Sequence, residues 1–322
     1  MRPPQRLARG LFVVLAQLGC IAPTWSADPE AADQHGQWRL VQVQKIWDKA
    51  PHNAFTDLVH HQGRWWCVFR EGQGHVSPDG ALRVITSVDG STWESAAVLT
   101  SEHADLRDAK LTITPDGRFM LSGAAALHTP QTHTHQSYVW LSRDGRIWGD
   151  AVPVADPNYW LWRISWHGDV CYGIGYECGK VKNLRLYRSR DGQHFQTLVK
   201  DLYSQTYPNE TSIVFRPDET ALCLLRRDPA HGLLGMARAP YTDWTWKDVG
   251  LRIGGPHMIA LPGRGLVAAV RLYDKPVRTS LCKVDPQSGR LHEMLALPSG
   301  GDTSYPGLVW RDGLLWVSYY SS

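Results

Sequence analysis

Apolar and polar residues alternate in short runs along most of the chain, and turn-forming residues break the runs at close intervals. Trp38-Arg-Leu-Val-Gln-Val-Gln-Lys-Ile-Trp47 has the period of two expected of a half-buried strand. Trp65-Trp-Cys-Val-Phe69 and Ala221-Leu-Cys-Leu224 are continuous apolar runs that suit strands buried on both faces. No stretch of useful length carries a helical period, so the pattern predicts an all-β chain.

A seven-residue pattern punctuates these strands. Ser87-Val-Asp89-Gly90-Ser-Thr-Trp93, Ser142-Arg-Asp144-Gly145-Arg-Ile-Trp148 and Ser189-Arg-Asp191-Gly192-Gln-His-Phe195 share a form, and their first serines stand 55 and then 47 residues apart. Each follows a strand-like run (Leu82–Thr86, Tyr138–Leu141, Leu184–Arg188) and reads as a hairpin turn. Asp turns its carboxylate onto turn amides, Gly takes the positive-φ position, and the last aromatic packs into a neighbouring unit. Repeats of roughly 40–50 residues carrying a turn and an aromatic indicate a β-propeller. We divide the chain into six units: Asn53–Leu99, Leu106–Val154, Tyr159–Tyr203, Asn209–Ile253, Gly255–Pro298 and the short Thr303–Tyr320. The expected fold is one six-bladed propeller of four-stranded antiparallel blades. The last blade is closed by the N-terminal strand Trp38–Trp47, which leaves no free sheet edge.

Residues 1–27 read as a leader to an exported protein, periplasmic or extracellular, which makes 28–322 the single domain. Arg2, Arg6 and Arg9 precede an apolar stretch from Leu11 to Ala22 that is too short to span a bilayer. Cleavage near Ala22 or Ala27 fits; a lipoprotein signal through Cys20 is disfavoured by Gln17. Without the leader, 31 Lys+Arg balance 31 Asp+Glu, which argues against a nucleic-acid partner. No later run is long enough to cross a membrane. Cys67, Cys171, Cys178, Cys223 and Cys282 read mostly as buried strand residues, and no Cys/His spacing resembles a structural zinc site. Neither a metal nor a cofactor is expected, and the oligomeric state is left open.

Propeller geometry turns the starts of first strands and the ends of second strands toward one central depression. That filter selects Asp57, Arg107, Asp108, Arg163, Asn209, Glu210, His257 and Tyr305, together with Arg70, Glu71, His75, Arg226, Asp228, Arg271 and Tyr319. The repeated Asp89, Asp144 and Asp191 fall elsewhere and read as structural. Converging arginines suit an anionic ligand, because guanidinium forks match carboxylates and sulfates.

The chain here resembles the sialidase superfamily of glycoside hydrolases. Its three turns look like a shortened form of that family's Asp box. Asn209-Glu210 through Leu225-Arg226 looks like the fourth-blade segment, in which an Arg follows a Glu by about sixteen residues. Arg271 and Tyr305 sit where the family keeps a fifth-blade arginine and its nucleophilic tyrosine. The resemblance implies an exo-glycosidase acting on an acidic glycan, with Tyr305 as nucleophile, Glu210 as its base, and Arg226 and Arg271 clamping the anion. A neutral phenol suits such a sugar, whose own carboxylate would repel an anionic nucleophile.

The sequence departs from the family in two places. Where sialidases begin the first blade with an arginine, it reads His52-Asn53-Ala54-Phe55-Thr56-Asp57, which leaves Arg70 or Arg107 as third anion ligand. The general acid is also unassigned, with Glu71, His75 or Asp79 as candidates. Asp108, His257 and Trp162 complete the expected substrate-binding set; Trp160 and Trp162 are placed to stack on a sugar ring. His128, His133 and His135 share a loop and could bond substrate. A sugar-binding propeller without turnover and a lyase or hydrolase acting on uronic acids are the alternative readings.

Overall fold

A computed structural model describes residues 10–18 and 38–322. Six four-stranded antiparallel sheets stand around one axis as blades, and among the described residues there is no helix. Each blade runs outward from its first strand, and the first strands of neighbouring blades touch around the ring. Blade one is built from His52–His61, Arg64–Gly72, Ala81–Ser87 and Glu94–Leu99. The first strands of blades two to six are Ala104–Ile113, Tyr159–His167, Tyr207–Phe215, Ile253–Leu261 and Thr303–Arg311. All six fall where the apolar runs place them.

Blade six differs from the expectation. Its order is Trp38–Trp47, Gly10–Leu18, Leu314–Ser321, Thr303–Arg311, so two N-terminal strands close the ring rather than one. Trp38–Trp47 is the outer strand, exposed or half-buried between its two buried end tryptophans. The apolar Gly10–Leu18 lies between it and the chain's last strand, with Val13 and Val14 buried. Arg2, Arg6, Arg9, Ala22 and Ala27 lie outside the described residues.

The core lies between blades rather than within them, since both faces of every sheet must be covered. Between blades one and two, Trp66, Val68, Leu82 and Val84 pack on Leu106, Leu111, Phe119 and Leu121. The Ser-x-Asp-Gly turns fasten these contacts. In the first, Asp89 Oδ1 accepts the amides of Ser91 and Thr92, both at 2.8 Å, and the Ser87 hydroxyl at 2.9 Å. The same bonds recur at Asp144 and Asp191. Gly145 has φ +70°, and a Cβ there would lie 2.5 Å from Trp66 of the preceding blade. No other residue fits such a turn pressed against a neighbouring indole. Cys67, Cys171, Cys223 and Cys282 are buried and free, and Cys178 is half-buried and free.

One irregularity repeats six times. Near the start of every first strand, two residues face one on the second strand, a one-residue bulge. The residues left out of the ladder are Phe55-Thr56, Asp108-Ala109, Trp162-Arg163, Asn209-Glu210, Gly255-Pro256 and Tyr305-Pro306. Phe55, Asp108 and Tyr305 are held at φ of 66°, 54° and 52°, a left-handed conformation that bulky residues rarely adopt. The bulges re-aim these side chains toward the axis, where blades distant in sequence meet.

Candidate active site

At the axis the Tyr305 hydroxyl donates to Glu210 Oε1 at 2.6 Å. Arg226 Nη1 donates to the same oxygen at 2.7 Å and lies 3.5 Å from the phenol oxygen. The other carboxylate oxygen, Oε2, accepts the Gly255 amide at 2.7 Å. Glycine is required at 255: its φ is +55°, and a Cβ would meet the Tyr305 amide at 2.9 Å. Ninety-five residues of chain separate the phenol from the carboxyl it touches. Burial, and then the Glu210 carboxylate, hold the Tyr305 phenol well above its ordinary pKa. It is therefore neutral at rest and has a carboxylate in place to take its proton.

Around this pair the bowl divides in two. On one side Arg226 Nε lies 2.8 Å from Asp228 Oδ2, and Arg252 Nη2 lies 2.9 Å from Asp228 Oδ1. Arg271 Nη2 donates to Asp302 Oδ1 and to Tyr320 Oη, both at 2.9 Å. Tyr273 is ringed by all three arginines, its centroid 5.9 Å from Arg226, 4.1 Å from Arg252 and 5.8 Å from Arg271. The arginines are matched by Glu210, Asp228 and Asp302, so this side is charge-balanced. On the other side the Tyr305 ring sits 5.0 Å from Phe55 and 5.5 Å from Trp162.

Asp108 enters from blade two, partly open to the bowl. Burial pushes its carboxyl up to about 6; Lys110 opposes the shift and Glu210 adds to it. The Lys110 ammonium is buried, 4.8 Å from the Trp162 ring centroid and 6.0 Å from that of Tyr305. Burial lowers it to about 8, against the attraction of Asp108. A carboxyl raised to about 6 beside a tyrosine–carboxylate pair can serve as a proton donor below that pH.

The structure thus brings together Tyr305, Glu210, Arg226, Arg271, Asp108 and Trp162. Other expected residues sit elsewhere. Arg70 is fully buried; its Nε donates to Asp105 Oδ1 at 2.9 Å, and its Nη atoms hold Gly74 O and Ser77. It braces a loop and cannot meet a ligand. Arg107 is ion-paired to Asp105 Oδ2. Glu71 accepts Trp47 Nε1 at 2.7 Å and Arg83 Nε at 2.8 Å, a structural pairing away from the axis. Asp79 accepts the Gln73 amide within its own loop.

His257 lies buried on the axis, with Nδ1 3.2 Å from Pro306 O. Burial, and then Arg163, hold it neutral. His75 leans over the rim, Nδ1 3.4 Å from Asp302 Oδ2. His128 packs on the Glu102 and Pro78 carbonyls, and among the described residues it does not join His133 and His135 as a ligand group.

Sequence reasoning missed Asp302, Tyr320, Arg252, Tyr273 and Lys110. Lys110 had a signal, a cation between Ala109 and Leu111 on the first strand of its blade. Tyr320 was missed by one residue: Tyr319 points the other way, donating to Pro298 O at 2.7 Å.

No family model matches the chain, and no curated protein matches it in sequence. Solved structures match in fold. A protein of unknown function from Dyadobacter fermentans superposes with a TM-score of 0.74 at 16% identity, covering 86% of this chain and 97% of that one. The NanB sialidase of Streptococcus pneumoniae gives 0.64 at 10% identity, over 84% of this chain and 68% of its own. The α-L-arabinanase of Penicillium chrysogenum gives 0.60 at 13%, over 84% and 93%. The fold is therefore the six-bladed propeller that sialidases and arabinanases share.

Proposed function

We propose that the protein is a glycoside hydrolase that releases a terminal acidic sugar with retention, using Tyr305 as nucleophile. The 2.6 Å bond from the Tyr305 hydroxyl to Glu210 carries the reading. The Tyr305 oxygen attacks the anomeric carbon as its proton passes to Glu210, while Asp108 protonates the departing glycosidic oxygen. Asp108 then takes a proton from water, which displaces the sugar, and Glu210 returns the proton to the phenol. Arg226 lies 3.5 Å from the phenol oxygen and stabilises charge developing there. Replacing Glu71 by Asp108 as general acid follows from position: Glu71 is engaged by Trp47 and Arg83, whereas Asp108 is near enough to Tyr305 for its charge to raise the phenol pKa.

A neutral sugar is the second reading. Phe55 occupies the first-blade place where the resemblance calls for an arginine, and Arg226 and Arg271 already have carboxylate partners. A screen of aryl glycosides of sialic, uronic and neutral sugars tests both. Release from an acidic sugar is expected. Release from neutral sugars alone defeats the anion clamp, and binding without release, or an unsaturated product, replaces hydrolysis by a lectin or a lyase.

Export is part of the proposal, and among the described residues no helix is long and apolar enough to cross a membrane. Cleavage near Ala22 or Ala27 would remove strand Gly10–Leu18 from blade six. N-terminal sequencing of the secreted or periplasmic protein checks it: a start before Gly10 argues against the leader.

A further inference from the structure

We propose that His52, His75 and Asp302 bind a divalent transition-metal ion at the rim of the bowl, where blade one meets blade six. One ligand atom from each lies within 4.8 Å of the others. His75 Nδ1 and Asp302 Oδ2 are 3.4 Å apart, long for a hydrogen bond. That distance matches the edge of a coordination tetrahedron, about 3.3 Å for metal–ligand bonds of about 2.0–2.1 Å. The His52 and His75 rings meet edge to face, at 5.4 Å and 73°.

The groups that hold the Asp302 carboxylate in place are already present. Asp302 Oδ1 accepts both Tyr320 Oη and Arg271 Nη2 at 2.9 Å, which fixes the carboxylate and leaves Oδ2 toward the imidazoles. Carboxylates that ligate metals are held in this way by groups behind them. The Arg271 charge opposes the cation and moderates its affinity. Two imidazoles and one carboxylate suit Zn²⁺ or its first-row neighbours rather than Ca²⁺ or Mg²⁺, which take oxygen ligands.

The position gives such an ion a task. His52 and Asp302 each precede by three residues an aromatic of the axial bulges, Phe55 and Tyr305. His75 stands on the loop that Arg70 braces from below through Gly74 and Ser77. A bound ion would therefore tie the first-blade loop to the two strand starts that present Phe55 and Tyr305, and pin that loop over the bowl.

The test uses the full chain stripped with chelator, equilibrated with Zn²⁺ at neutral pH, and assayed for bound metal by mass spectrometry after desalting. One Zn²⁺ per chain is expected, with Co²⁺ giving visible absorption of low-coordinate type. His75→Ala and His52→Ala should each weaken binding at least tenfold and abolish the Zn²⁺-induced rise in melting temperature; His133→Ala, at an exposed loop, should change neither. His75 is exposed, so His75→Ala keeps the test sound if His52→Ala fails to fold. Absence of stoichiometric uptake, or uptake that both variants retain, overturns the site. Metal is read directly, so the result is independent of whether the protein hydrolyses any glycoside.

Discussion

The Ser-x-Asp-Gly turns and the axial bulges are both repeated, yet they work oppositely. In the turns the residue type repeats with the geometry: Asp89, Asp144 and Asp191 each spend one oxygen on two amides of their own turn. Those bonds close within a few residues and serve the turn itself. At the bulges the geometry repeats while the residues diverge, from Phe55-Thr56 through Asp108-Ala109, Trp162-Arg163 and Asn209-Glu210 to Gly255-Pro256 and Tyr305-Pro306. Their partners lie far off in sequence, as with Tyr305 and Glu210. A position kept identical around the ring reports the fold. A geometry kept while its residue varies reports the site.

That contrast predicts that axial substitutions cost activity and leave stability, while turn substitutions do the reverse. The largest effect is expected of Tyr305→Phe and Glu210→Gln, each lowering kcat/KM for the responsive glycoside at least about 10³-fold, with melting temperature nearly unchanged. Substantial activity in Tyr305→Phe would end the nucleophile assignment. Asp108→Asn comes next, with a loss of about 10²–10⁴-fold for poor leaving groups. Activated aryl groups, which need little protonation, should suffer less, and equal losses for both would argue against a proton donor.

Gly145→Ala should break the pattern from the other side. Forcing a Cβ against Trp66 at positive φ should cost about 2–4 kcal/mol in chemical denaturation while the folded fraction keeps its kcat. Asp144→Ala is the milder case, about 1 kcal/mol. Its carboxyl is held below its ordinary value by the Ile147 and Arg146 amides. The turn's contribution is therefore present at neutral pH and lost as the pH falls below the ordinary carboxylate range, and the difference between variant and native protein should shrink there.

The smallest effect sharpens the axial side. If Asp108 must carry a proton, activity falls as the pH rises through about 6. Lys110, Glu210, Arg107 and His75 are the charged or titratable groups that act on it. Lys110→Met removes a cation that lowers the Asp108 value, so the basic limb of the pH–rate profile should move upward by about half a unit, and Lys110→Arg should restore it. A limb that stays in place would mean another group sets it.

The sequence by itself determined the blades, because strand period and turn chemistry are local: alternation sets which face is buried, and Asp-Gly turns close their own hydrogen bonds. It also placed Tyr305, Glu210, Arg226 and Arg271 at strand ends facing the axis, since ring symmetry makes those ends converge. Only the tertiary structure decided which side chains actually reach the bowl. The bulge adds one residue to each first strand, and with a period of two a single step reverses a side chain's direction. Arg70 instead went to Asp105 of blade two, Glu71 to Trp47 of blade six and Arg83 of its own blade, and Tyr320 rather than Tyr319 joined the site. The elevated Asp108 carboxyl and the buried Lys110 beneath Tyr305 come from desolvation shared among several blades, a property no single stretch of chain contains.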